Sequence, residues 1–208
     1  LWLDRLGAHV RGVSLAPATD PALFDLAGVA QSCDSRFADI NDPAALDDAV
    51  ADFEPELVIH MAAQAIVRDS YDFPVQTFAT NVMGTVNVLE IARHAPSVRG
   101  VIVVTSDKCY ENREWIWGYR ENDPMGGHDP YSASKGCAEL VFSAYLKSFF
   151  SQSAAKNRTI GAASARAGNV IGGGDWGKDR LVPDCIRALS KSEKIGIRSP
   201  NAIRPWQH

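Results

Sequence analysis

This 208-residue chain has little of what marks a nucleic-acid, membrane or metal protein. No block of basic residues occurs, and 21 Lys and Arg against 25 Asp and Glu leave a formal charge of −4. A phosphate-backbone partner therefore has little electrostatic support. The four cysteines, Cys33, Cys109, Cys137 and Cys185, form no CxxC pair and have no His-rich partner. That fits free thiols in a reducing cytosol better than a disulfide frame or a zinc site, so no metal is expected. No run approaches the ~18 apolar residues of a membrane-spanning helix, and residues 1–15 lack the order of a signal peptide. A cytoplasmic protein with no membrane partner is expected. Internal repeats, low-complexity tracts and Gly/Ser linkers are absent too. The first residue is Leu1, not Met, inside a helix-like opening, "LWLDRLGAHV".

What is present reads as ordinary globular material, 46% hydrophobic and 22% charged. Residues 1–6 suit the tail of a helix closed by Gly7, and His9 to Leu15 alternate as a strand. "RFADI" ends a second strand. Asp42 and Pro43 form a helix start signature, as do Asp129 and Pro130. "ELVIHMAA" (Glu56 to Ala63) and "GVIVVTS" read as strands buried on both faces. Phe78, Val82, Thr85, Val86, Leu89 and Ile91 predict one long helix over about 75–94. Ala138, Val141, Phe142, Tyr145 and Phe149 predict another, over about 130–150. A strand over Thr159 to Ile171 and a helix over about Val182 to Ser192 follow. This alternation predicts a Rossmann-like α/β fold, a doubly wound parallel sheet with ligands outside the carboxyl ends of its strands. We expect a nucleotide-binding domain over 1–170 and a smaller substrate lobe beginning at 171–208.

Tyr131 and Lys135, in "YSASK", lie one turn apart on one helix face. A tyrosine, with a pKa of about 10, works as a phenolate near neutrality only beside a positive charge, which Lys135 would supply. Thr105, at the tip of its strand, would hydrogen-bond the same substrate oxygen; a locally satisfied hydroxyl is the plainer alternative. Small residues Ala62 and Ala63, before Gln64 in "HMAAQ", would let a cofactor lie close to the backbone, or simply pack. Asp39 and Ile40 would hold an adenine, through its amino group and its ring face; a solvated Asp explains the carboxylate equally. No Lys or Arg occurs between Gly12 and Ser35, where a 2′-phosphate needs cations, so NAD is favoured over NADP. Ser14, not Asp or Glu, stands at the usual ribose-binding place. The Gly-rich fingerprint for a dinucleotide pyrophosphate is missing, and its place would be just before Leu1. We therefore expect the natural product to carry residues upstream.

These pieces resemble the extended short-chain dehydrogenase/reductase superfamily and, within it, the CDP-glucose 4,6-dehydratases. "TSDKCYENREW", "YRENDPMGGHDPYSASKGCAELV", "RAGNVIGGGDW" and "IRPWQH" carry the resemblance. It implies NAD-dependent dehydration of a nucleotide-activated hexose. Tyr131, Lys135 and Thr105 would oxidise C4, water would leave across C5 and C6, and hydride would return to C6. Related dehydratases place an Asp-Glu pair after the strand; here the pair is Asp107, as acid for the C6 hydroxyl, and Lys108, as base at C5 or enolate stabiliser. Asn169, Arg180 and Arg204 would bind the nucleotide-sugar diphosphate. Trp115, Trp117 and Tyr119 either line the sugar pocket or pack their loop. A homodimer through the helices near 75–94 and 130–150 is implied. Rival readings are an epimerase or decarboxylase, which needs no acid/base pair after Thr105, and a non-catalytic NAD-binding module. The polypeptide as it stands is expected to be inactive alone, its parent active.

Overall fold

The computed structural model describes residues 1–151 and 159–208. Helix α1 (Trp2–Arg5) leads to strand β1 (Arg11–Ser14), and the one-turn helices α2 (Leu23–Leu26) and α3 (Val29–Ser32) precede β2 (Asp34–Phe37). Helix α4 (Pro43–Val50) starts as the sequence predicts. The Asp42 carboxylate accepts from the N–H groups of Ala44 and Ala45, both at 3.1 Å, and Pro43 occupies the first turn, where its missing N–H has no partner to lose. Then come β3 (Leu57–His60), α5 (Val67–Asp72), α6 (Pro74–Phe78), α7 (Gly84–His94) and β4 (Gly100–Ser106). Helix α8 (Pro130–Tyr145) repeats the signal, with Asp129 accepting from the Ser132 N–H at 2.9 Å. Strands β5 (Gly161–Ala167) and β6 (Asn169–Val170), helix α9 (Leu181–Ser190) and strand β7 (Trp206–Gln207) complete the order.

The elements form two compact units, Leu1–Phe37 with Gly168–His208, and Ala38–Ala167. In the first, β1 pairs with β2 and β6 with β7, both parallel. Arg11 on β1 reaches the Asp34 carboxylate directly across the pair at 2.5 Å. The strand expected over 159–171 is two strands, because β5 pairs with β4 as far as Ala167 whereas β6 takes β7 as its neighbour.

In the second unit, β3, β4 and β5 form a parallel sheet in that order. The pleat of β4 turns Val101, Val103 and Thr105 to one face. Val101 and Val103 join Leu89 and Ala92 of α7, Phe142 of α8, Phe150 and Ile160 in the core. Burying each such large aliphatic or aromatic side chain stabilises the fold by about 1.5–3 kcal/mol. The next inward position is Thr105, a hydroxyl in an apolar layer, which must find a partner.

The single helix expected over 75–94 is α6 and α7 joined by a π turn at Ala79–Met83. The wide turn shifts the register, so the buried side runs Thr77, Asn81, Thr85, Val88, Leu89 and Ala92, while Phe78 is 37% exposed. Counting apolar residues at 3.6 per turn misses this stripe because its first half is polar. π turns of this kind recur at functional sites.

Candidate active site

Strand β4 ends in a turn of 3-10 helix, Asp107–Cys109, whose N-cap is Ser106. The Ser106 hydroxyl accepts from the Lys108 N–H at 3.2 Å and donates to Asp107 Oδ1 at 3.1 Å. Asp107 and Lys108 are therefore presented by a short, rigidly capped turn at a strand's carboxyl end. Cys109 is fully buried, and burial pushes its thiol up to about 11, which removes it as a nucleophile. The turn lies against α8: a Cβ on Gly136 would sit 3.4 Å from the Cys109 carbonyl oxygen. Glycine there permits the approach.

Helix α8 brings Tyr131 and Lys135 onto one buried face, 9% and 7% exposed. Burial lowers the Lys135 pKa, and the Lys135 charge in turn helps depress His60, whose loss of water is the larger cause, to about 4. His60 is thus neutral near pH 7. Its Nε2 lies 3.0 Å from Thr85 Oγ1, and the single Thr85 proton goes to the Asn81 carbonyl at 2.7 Å, so Nε2 carries the ring hydrogen. Asn81, 2% exposed and inside the π turn, joins two elements. Its Oδ1 accepts from the Gln64 N–H at 2.8 Å, and its Nδ2 donates to the Gln64 carbonyl at 3.0 Å and to Ser134 Oγ at 2.8 Å. Ser134 donates onward to the Tyr131 carbonyl at 2.7 Å. The segment after β3 and the first turn of α8 are held by one amide.

Thr105 is placed differently from the expectation. Its hydroxyl donates to Glu139 Oε1, two helical turns beyond Tyr131 on α8, not toward a shared oxygen at Tyr131. The other Glu139 oxygen accepts from Ser164 at 3.0 Å and from Arg166 Nη2 at 2.9 Å. Burial, the largest influence on Glu139, works to raise its pKa, but the bonds from Arg166, Thr105 and Ser164 outweigh it, and the carboxyl stays ionised. Arg166 Nη1 donates to the Tyr110 hydroxyl and to the Glu121 carbonyl, each at 2.9 Å, with its guanidinium 5.0 Å over the Tyr110 ring. Tyr110 stacks on Tyr119 at 5.1 Å, and Tyr119 on Trp115 at 5.7 Å. Trp117 lies 5.4 Å from Trp115, so all three loop aromatics pack on one another.

The profile of the family described as GDP-mannose 4,6 dehydratase matches residues 25–207. The chain belongs to this family. Among characterised relatives of this dehydratase family, the chain is 53% identical over its whole length to CDP-glucose 4,6-dehydratase of Salmonella typhimurium, of which it spans 58%. Its fold matches UDP-glucose 4-epimerase of Thermotoga maritima, solved with UDP-glucose, at a TM-score of 0.83 and 19% identity, over 99% of this chain and 63% of that one. It matches dTDP-glucose 4,6-dehydratase of Streptomyces venezuelae, solved with NAD and TYD bound, at 0.80 and 22%, over 99% and 60%.

Within this dehydratase-family chain, the remaining candidates fall in both units. Asp39 accepts from the Asn41 backbone and side chain at 2.9 and 3.0 Å, and the carbonyl of buried Ile40 accepts from Asn87 Nδ2 at 2.7 Å. Ala62 and Ala63 are half-buried after β3, beside the Gln64 that Asn81 holds. Asn169, Arg180 and Arg204 belong to the other unit. There Asn169 lies on β6, Arg180 pairs with Asp175 at 3.1 Å, and Arg204 is exposed. An open cleft of about 180 Å³ lies between the Gly172–Gly174 loop and α9. Sequence reasoning missed Asn81, Ser106, Glu139 and Arg166. The available signal was two polar residues one turn beyond known ones, Asn81 before Thr85 and Glu139 after Lys135.

Proposed function

We propose that the complete protein is an NAD-dependent 4,6-dehydratase acting on CDP-glucose, giving CDP-4-keto-6-deoxyglucose and water. The observation that carries this reading is the capped turn of Asp107 and Lys108 lying against the helix that bears Tyr131 and Lys135. Epimerisation needs no acid/base pair at that position. The 53% identity to a CDP-glucose 4,6-dehydratase supports the choice of nucleotide.

The residues present fit NAD. Asp39 has accepting capacity beyond its two bonds to Asn41 for an adenine amino group, Ile40 suits the ring face, and Ala62 to Gln64 offer a close, locked backbone. NAD supplies a hydride acceptor for C4 that later returns the hydride to C6. Tyr131 takes the C4 hydroxyl proton, and Lys135 stabilises the phenolate, its own charge undiluted by water. Two hydroxyls stand at the strand end: Thr105 is directed at the buried Glu139 and is assigned to holding the turn, and Ser106, whose proton goes to the neighbouring Asp107 carboxylate, is assigned to the substrate oxygen, the proton turning from Asp107 to substrate. Once C4 is a ketone the C5 proton is acidic. Lys108 removes it, Asp107 protonates the departing C6 hydroxyl, and water leaves. Asn169, Arg180 and Arg204 bind the diphosphate, on a substrate lobe beginning near residue 171. A cytoplasmic homodimer through the helices near 75–94 and 130–150 completes the proposal.

The test is to incubate protein expressed from its complete reading frame with CDP-glucose and with dTDP-glucose and to follow the 4-keto-6-deoxy product. CDP-glucose should be preferred. Asp107→Asn should retain NAD and lose dehydration; product at the wild-type rate would remove Asp107 from the mechanism.

A further inference from the structure

The acid/base turn is short and must be placed finely. If Tyr131 serves C4 while Asp107 and Lys108 serve C6 and C5 of the same sugar, turn and helix must keep register to within about 1 Å. Only one side chain of the turn, Cys109, is fully buried. Besides the Ser106 cap, two side-chain anchors hold the turn, one on either side of it. Upstream, Thr105 donates to Glu139 Oε1. Downstream, the Tyr110 hydroxyl accepts from Arg166 Nη1 at 2.9 Å. The two anchors are joined by the Arg166–Glu139 ion pair, at 2.9 Å with side chains 14% and 3% exposed. Glu139 stands on α8 one turn after Lys135, so the register is set against the helix that carries Tyr131.

We propose that the Glu139–Arg166 pair is a clamp that positions the Asp107–Lys108 turn at both ends against α8, and so governs the elimination step separately from the oxidation step. The inference rests on the dehydratase reading above. A buried ion pair is expensive to desolvate, and an apolar pair of equal volume generally fills such a site with no loss of stability. What an apolar pair lacks is direction. Glu139 accepts from Thr105 and Ser164 while Arg166 donates to the Tyr110 hydroxyl and the Glu121 carbonyl, and the planar guanidinium fork holds the angles between them. The groups that serve C4 are held by other means: Tyr131 and Lys135 by α8 itself, and Ser106 by the β4–β5 ladder, opposite Ala167.

The experiment uses Tyr110→Phe, which keeps the ring and its stack on Tyr119 but deletes the downstream anchor, and Arg166→Lys, which keeps the charge but loses the fork. Single-turnover mixing with NAD and CDP-glucose reads oxidation as reduced-nicotinamide absorbance. Elimination is read as 4-keto-6-deoxy product and as C5 proton exchange in deuterated water. In both variants elimination should slow roughly ten- to hundredfold while oxidation stays within about twofold, so reduced cofactor accumulates. A parallel fall of both steps, or no change in either, overturns the clamp while leaving the dehydratase reading standing. If the wild-type protein yields no dehydrated product, the functional reading fails instead and takes the clamp with it.

Discussion

Asn81 gives the sharpest test of how the site is held together. Asn81→Ala removes three side-chain hydrogen bonds, of 2.8, 3.0 and 2.8 Å, from a side chain 2% exposed. At about 1 kcal/mol net for each bond the loss is about 3 kcal/mol. For a chain of this size that lowers the thermal midpoint by about 6–12 °C. Thr77→Val is the matched control. Thr77 is fully buried on the same helix face, but its hydroxyl reaches only the Phe73 carbonyl, which keeps the Thr77 N–H at 3.0 Å after substitution. Nothing is orphaned, so the change should be about 1 kcal/mol or less. Urea or thermal unfolding by circular dichroism reads both variants. NAD affinity should fall with Asn81→Ala alone, since Gln64 loses its anchor. Equal destabilisation by the two substitutions would mean that burial of the polar stripe matters and the bridge does not.

Two further predictions follow from the same region. The folded protein keeps His60 at about 4 against an ordinary 6.5, so between those values the unfolded chain binds the extra proton. Stability should therefore fall as pH drops from 6.5 toward 4, by up to about 3 kcal/mol, and His60→Gln should flatten that slope in urea titrations; an unchanged slope would contradict it. The Glu90 carboxyl, held near 2 chiefly by the Arg93 hydrogen bond against an ordinary 4.5, adds its own loss of stability from about 4.5 downward, so the His60 slope is read above that value. Gly84→Ala would put a Cβ 2.4 Å from Ile40 Cδ1 and 2.7 Å from Cγ1. Overpacking should cost about 1–3 kcal/mol despite the better helix former, and NAD binding measured by calorimetry should weaken as Ile40 shifts. Gly12→Ala meets nothing within 4 Å and should leave both properties unchanged.

The helix starts were legible in the sequence because a cap acts within three residues. Asp42 with Pro43 and Asp129 with Pro130 open their helices where the sequence placed them. The run "GVIVVTS" is β4 residue for residue. The long helix over 75–94 was legible as a helix but not as a broken one, since a π turn leaves no mark in a periodicity count. The same count hid Asn81, because a buried asparagine reads as solvent-facing until its partners are known. Thr105 shows the limit most directly. A hydroxyl at a strand tip reads as facing substrate, yet its partner Glu139 lies 34 residues away, at a position that the apolar spacing of its helix does not mark.

By itself the sequence determined the local order: parallel strands alternating with helices, the capped starts, and Tyr131 and Lys135 one turn apart on a common face. Only the tertiary structure decided which polar groups meet: Asn81 with Gln64 across 17 residues, Thr105 with Glu139 across 34, and Arg166 with Tyr110 across 56. Periodicity and capping are set by bonds within a few residues and can be read in one dimension. The partner of a buried polar group depends on the register of β4 against β5 and on where α8 crosses them, which no local spacing contains.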